Sequence, residues 1–271
     1  MRPRLRSRRK RRRATTDRAR ARMTKLSVNV NKIATLRNTR SIGIPSVLRC
    51  ARICLDAGAH GITVHPRPDE RHIRPRDVYE LSAMLAERRG AEFNIEGNPF
   101  HKYMEFARDV KPTQATLVPD ETSASTSDHG WDLHRDGERL RPIIDQLHSF
   151  GVKRVSLFMD PVIEEMAIAK SIGADRIELY TAPFAEAFGT GEIHAVASKY
   201  ANAARAAVAA GLGVNAGHDL NLDNLPALLQ YCPQIAEVSI GHALIADALE
   251  RGLAAAVKAY LAATEQYPTD A

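Results

Sequence analysis

Histidines and glutamates recur where short apolar runs of this chain end. His65 closes GITVH, Glu96 closes FNIE, and Glu178 lies within RIELY. His218 follows VNAG and His242 follows SIG. Imidazoles exchange protons near neutral pH unaided, and burial can tune carboxylates toward the same range. Asn29, Asn31 and Lys32 close the first apolar run, Asp160 the fifth, and Asn215 lies in the seventh. A lone strand-end histidine is more often a hydrogen-bonded wall residue than a catalyst. Polar ends on seven of eight runs instead point to one shared mouth. Buried polar groups cost free energy unless they are paired or used.

A second chemistry is anion binding. Arg37, Arg40, Arg67 and Arg71 lie near the first two runs, and a guanidinium suits forked contact with phosphate oxygens. The segment HPRPDERH (65–72) is stiffened by two prolines, which helps hold His65, Arg67 and His72 over a ligand. Gly241-His242 opens the last helical pattern. Backbone N–H groups there can hold phosphate, with a simple tight turn as the equal alternative. The polar stretch 119–136 is long for a connection and reads as a lid or binding segment. Trp131 on it either covers the site or fills a surface notch.

These residues need a frame that brings run ends together. Strands are expected at Leu26–Val30, Gly61–His65, Glu92–Glu96, Gln114–Val118, Arg154–Asp160, Arg176–Tyr180, Gly213–Gly217 and Glu237–Gly241. Helical patterns fill the gaps at Pro45–Ala57, Pro75–Arg89, Phe100–Val110, Glu138–Phe150, Val162–Ile172, Glu192–Ala210, Leu222–Leu229 and His242–Ala263. Gly58, Gly173 and Gly211 each end a helix just before a strand, as left-handed caps feeding buried parallel strands. Strict alternation implies a parallel sheet, and eight units in one domain of this length favour a closed (β/α)8 TIM barrel over an open sheet. No glycine-rich dinucleotide or P-loop fingerprint follows any strand. In such barrels the strand C-termini carry the active site.

The net charge of +6 is misleading, because residues 1–22 hold eleven Arg and Lys10 against Asp17 alone. The remainder is net acidic. We expect a disordered Arg-rich tail over 1–22 and a single catalytic barrel over 23–271. The favoured reading makes the tail incidental, with the true start at Met23. Nucleic-acid binding and an organelle address are the alternatives, and nucleic acid is disfavoured because no aromatic residues are interleaved. No apolar stretch is long enough to cross a membrane. Cys50, Cys54 and Cys232 make no disulfide framework, which fits a reducing cytoplasm, and Cys50 and Cys54 read as packing residues on one helix face.

Together, VNVNKIATLRNTR (Val28–Arg40), GAHGITVHPRPDERHI (Gly58–Ile73), LGVNAGHDLNLDN (Leu212–Asn224) and EVSIGHALI (Glu237–Ile245) resemble the pyridoxine 5'-phosphate synthase family of deoxyxylulose-phosphate-dependent vitamin B6 biosynthesis. FNIEGN, ATLVPD, VSLFMD and RIELYT match in order between them. The resemblance implies condensation of 3-amino-2-oxopropyl phosphate with 1-deoxy-D-xylulose 5-phosphate, with no cofactor and no metal. It implies that His65 and Glu96 accept protons, His218 donates one, and Glu178 stabilises a transition state. It assigns Asn29, Arg40 and the Gly241-His242 turn to the amino-ketone phosphate. It assigns Arg67, His72 and Thr126 to the sugar phosphate, and self-association to a homo-octamer. Two positions depart from the family pattern. Asn31-Lys32 stands where Asp-His is frequent, so altered contacts to the sugar phosphate are expected. Asp219 stands where Gly is common; it can serve a phosphate if only its backbone N–H is used, although its carboxylate would repel one.

Other chemistries remain open on the residues alone. His65, Glu96, Glu178, His218 and His242 are ligand types for a metal-dependent barrel, although no tight ligand spacing recurs. Lys32 could form a Schiff base, although no apolar pocket around it is evident.

Overall fold

The computed structural model describes residues 23–121 and 126–265. The expected disordered tail lies outside the described residues, as do residues 122–125 of the long loop.

Eight parallel strands close on themselves in sequence order. They are β1 (Lys25–Asn29), β2 (Gly61–Val64), β3 (Glu92–Gly97), β4 (Gln114–Leu117), β5 (Arg154–Met159), β6 (Arg176–Tyr180), β7 (Gly213–Gly217) and β8 (Ile235–Ile240). β8 returns to β1 with Leu26 opposite Val238, which completes the expected barrel. The surrounding helices are α1 (Asn31–Asn38), α2 (Val47–Asp56), α3 (Pro75–Ala86), α4 (Tyr103–Val110), α5 (Leu133–Phe150), α6 (Ile163–Ser171), α7 (Ala182–Ala187), α8 (Ile193–Ala209), α9 (Leu225–Tyr231), α10 (His242–Arg251) and α11 (Leu253–Glu265).

Two of these helices have no counterpart in the sequence reading. α1 buries only Ile33 and Ala34 and leaves Leu36 exposed, so it lacks a continuous apolar stripe. α7 spans about a turn and a half and has Pro183 as its second residue. The single closing helix expected over His242–Ala263 is broken at Gly252, which has φ +80°. The long loop also ends earlier than expected. Asp132 caps α5 by accepting from the Arg135 N–H at 3.2 Å, so the helix starts at Leu133.

The strands alternate, although both faces are covered. Leu26 and Val28, Ile62 and Val64, Phe93 and Ile95, and Ile177 and Leu179 are buried apolar residues of the core packed by the helices. The intervening residues are polar and bond to one another across the barrel. Ser27 and Thr63 hydroxyls meet at 2.7 Å, and Thr116 donates to Asn94 at 2.9 Å. Toward the N-terminal end, Arg154 pairs with Glu92, and Arg176 reaches Glu237 at 3.4 Å and Asn215 at 2.8 Å. These pairings offset much of the desolvation of the charged floor and polar middle, although Ser156 Oγ and Asn215 Nδ2 are buried without a hydrogen-bond partner. The outward Leu, Ile and Val side chains each contribute roughly 1.5–3 kcal/mol by burial.

The loop after β4 is pinned where it returns to the barrel. Trp131 is buried, and its indole N–H donates to the Leu117 carbonyl at 2.9 Å. Its backbone N–H donates to Phe158 O, also at 2.9 Å. It therefore anchors the loop between β4 and β5 and does not cover the site. Gly130 makes this close approach possible, since a Cβ there would lie 2.2 Å from the Asp160 nitrogen.

Candidate active site

A cavity of about 480 Å³ opens at the C-terminal ends of the strands. That volume suits one or two small metabolites. His65, Glu96, Glu178 and His218 all line it, as do Asn29, Asn31, Lys32, Arg67, His72, Thr126, Asp219, Gly241 and His242. Arg40 does not. It is exposed beyond α1, on the stretch that also exposes Ile42 and Ile44. Asp160, half-buried just past β5, does not line the cavity either.

The carboxylates sit deep. Glu96 is held by long contacts, accepting from Asn29 Nδ2 and Ser239 Oγ at 3.4 Å each. Burial pushes its carboxyl up to about 8, and the nearby carboxylate of Asp120 pushes the same way. Glu178 is pushed well above the usual carboxylate range by burial, with Glu96 and Glu237 adding repulsion. Its Oε2 has no hydrogen-bond partner and its Oε1 fills the space a Cβ on Gly217 would need. A neutral Glu178 can donate a hydrogen bond, while Glu96 can exchange a proton near neutral pH.

His65 lies between two acids, with Nδ1 4.0 Å from Glu96 and Nε2 3.7 Å from Asp120. Burial nevertheless holds it well below the ordinary imidazole range, helped by Arg67 and His72. Its neutral form, the one that can accept a proton, is therefore favoured. Its backbone N–H donates to Asn31 Oδ1 at 3.0 Å, so Asn31 fixes the end of β2.

One end of the cavity is cationic. Arg67, buried, pairs with Asp120, which also accepts from Ser127 Oγ at 2.9 Å. Arg71 and Lys32 also line the cavity there. His72 Nδ1 accepts from the Ile73 N–H at 2.9 Å, which leaves Nε2 as the protonated nitrogen. Burial first, then Arg67 and Lys32, lowers His72 to about 4. It is therefore a neutral donor suited to a phosphate oxygen. Arg37, by contrast, pairs with Asp77 and donates to the His72 carbonyl at 3.1 Å, supporting the loop from outside. At another part of the wall Gly241 and the first turn of α10 face the cavity, and no side chain caps the N–H groups of that turn.

Asp120 escaped the sequence reading, as did Ser127 and Ser239. β4 ends in apolar Leu117-Val118-Pro119, and the acid enters only when the loop folds back, helped by Asn98 Nδ2 on the Asp120 carbonyl at 2.9 Å. The signal was a strand-end acid displaced by three residues. Among the described residues, no three His, Cys, Asp or Glu side chains converge as a metal ligand set. Lys32 is exposed at the rim.

Residues 26–266 match the family described as pyridoxal phosphate biosynthesis protein PdxJ. The pyridoxine 5'-phosphate synthase of Albidiferax ferrireducens is 57% identical over 243 residues, covering 88% of this chain and 96% of that protein. Pyridoxine 5'-phosphate synthase of Xanthomonas campestris is 55% identical, covering 88% and 95%. That of Xylella fastidiosa is 54% identical, covering 88% and 94%. Among solved structures, tryptophan synthase from M. tuberculosis superposes with a TM-score of 0.63 at 14% identity, covering 92% of this chain and 96% of that one. The tryptophan synthase alpha chain of Legionella pneumophila gives 0.61 at 13%, covering 93% and 94%. These two likenesses carry the barrel fold alone.

Proposed function

The chain belongs to the PdxJ family of pyridoxal phosphate biosynthesis proteins, and we propose from that membership and the rim geometry that it condenses 3-amino-2-oxopropyl phosphate with 1-deoxy-D-xylulose 5-phosphate. Pyridoxine 5'-phosphate, inorganic phosphate and water leave. The observation that carries this reading is the gathering of His65, Glu96, Glu178 and His218 around one cavity with separate anion-binding ends.

Ring formation requires an imine, a dehydration, carbon–carbon closure and phosphate loss. The substrate brings its own amine, so Lys32 is not needed as a nucleophile. Neutral His65 and deprotonated Glu96 take protons from substrate carbon and nitrogen. His218 returns a proton to a departing oxygen. Neutral Glu178 donates a hydrogen bond to charge developing on oxygen. Arg67, His72 and Thr126 hold the sugar phosphate, with Asn31 and Lys32 beside them. Asn29 and the N–H groups at Gly241-His242 hold the amino-ketone phosphate. Arg40 is assigned to that same phosphate by the family resemblance, although its side chain lies outside the cavity of this single chain.

No helix among the described residues is long and apolar enough to cross a membrane. Cytoplasmic residence and a homo-octameric assembly belong to the same proposal. Exposed Leu36, Ile42 and Ile44 support self-association, which sedimentation velocity reads directly.

The test is to mix the purified protein with both phosphorylated substrates. The expected result is the ultraviolet absorbance of a new pyridine ring, dependent on both. A pyridine-free mixture with properly folded protein removes the reading.

A further inference from the structure

His218 and Asp219 follow β7 with φ of +93° and +57°, left-handed values that disfavour residues other than glycine. The surrounding structure enforces them. Thr181 Oγ1 donates to the carbonyls of Gly217 and His218, and Asn224 Nδ2 donates to the Asp219 carbonyl at 3.1 Å. A glycine would meet this backbone demand without strain. The carboxylate at this position therefore calls for a use of its own.

Its contacts supply one. Asp219 Oδ2 lies 3.0 Å from His218 Nδ1. On the other side of the ring, Nε2 lies 2.9 Å from Thr126 Oγ1, on the cavity wall. Tyr180 packs edge-on against the imidazole, with centroids 5.1 Å apart. The ring is thus fixed on three sides, with one nitrogen on an acid and the other on the cavity.

We propose that Asp219 is a positioning residue for His218, holding the proton on Nδ1 so that Nε2 is the nitrogen that serves the substrate. This rests on the reading of His218 as the proton donor. In the charged ring both nitrogens carry hydrogen. Transfer breaks the Nε2–H bond and forms an O–H bond on the departing oxygen, leaving a neutral Nδ1–H imidazole. Asp219 stays ionised throughout, as an aspartate that orients a histidine does in other enzymes. The hydrogen bond from His218 holds the Asp219 carboxyl below the usual range, and His242 and Lys32 pull the same way against burial. Two charged groups in the cavity, Lys32 and Asp219, therefore face each other's field. The carboxylate's repulsion of a neighbouring substrate phosphate is moderated by that ammonium and by its bond to His218.

Asp219→Gly and Asp219→Asn test the assignment. Both suit the left-handed backbone, so neither should lower the melting temperature. The expected order of kcat is Asp above Asn above Gly, with the glycine variant down about tenfold or more. KM for each phosphorylated substrate should stay within about threefold. Nitrogen NMR of the full-length protein at a pH where the ring is neutral should show His218 protonated on Nδ1 in the wild type and as a mixture in Asp219→Gly. A glycine variant with wild-type kcat, a change confined to KM, or an unaltered tautomer each overturns the proposal. The NMR arm needs no substrate. If the wild type makes no pyridine ring, the reaction assignment fails while the Asp219–His218 pairing is still decided.

Discussion

Replacing Glu96 by Gln is expected to lower kcat by roughly 10²–10⁴-fold while making the folded protein more stable at pH 8. Both effects have one cause. The carboxyl is buried beside Asp120 and raised to about 8. In its proposed role as a base, Glu96 works only after losing its proton, so kcat/KM of the wild type should climb with pH through that value. Stability moves the other way. An unfolded Glu96 ionises near 4.5, whereas the folded one holds its proton to about 8. The folded state therefore binds more protons across that window, and wild-type stability falls as pH rises from about 4.5 to about 8. Gln carries no such penalty. Urea denaturation at pH 5 and pH 8 should show the variant gaining on the wild type at the higher pH, by on the order of 1–3 kcal/mol. Full activity in the variant removes Glu96 from the mechanism. A stability difference independent of pH contradicts its buried ionisation.

Removing Arg67 should have the largest cost in stability. Its guanidinium pairs with Asp120, which is only 4% exposed and whose Oδ1 already lacks a partner. Arg67→Ala leaves that carboxylate stranded, which typically costs about 3–5 kcal/mol. Burial already pushes Asp120 up against the pull of Arg67 and Ser127. Without Arg67 it takes up a proton, so the loss should be smaller in acid than at pH 8. Asp120→Asn added to Arg67→Ala should restore part of the stability. It should not restore the KM for the sugar phosphate, raised about 10–100-fold by loss of a charged hydrogen bond. Chemical denaturation and steady-state kinetics on the four proteins of this cycle separate the two roles. Additive effects of the two substitutions on stability contradict the buried pair.

The barrel was legible because its signals are local. Alternating β and α runs, with Gly58, Gly173 and Gly211 as caps, report parallel units whatever surrounds them. Strand ends agreed with the structure to within two residues. α1 was invisible as a helix because its contacts come from the barrel rather than from an apolar stripe of its own. The cavity residues on strand ends, His65, Glu96, Glu178 and His218, were readable because strand direction alone fixes which end they reach. Asp120 depends on a loop folding back, and loop conformation is written in tertiary contacts such as Asn98 on its carbonyl. Arg40 shows the converse. Its motif suggested the cavity, yet the segment beyond α1 carries it away from the mouth of the isolated chain. Asp219 was read as a backbone donor, and only coordinates could reveal its side chain on the imidazole.

A crystal of the protein with pyridoxine 5'-phosphate and inorganic phosphate tests the central claim most directly. The pyridine ring should lie among His65, Glu96 and His218. One anion should lie on Arg67 and His72, and the other on the N–H groups at Gly241-His242. A ring or anions bound away from the strand C-termini, with this cavity left to solvent, would contradict it.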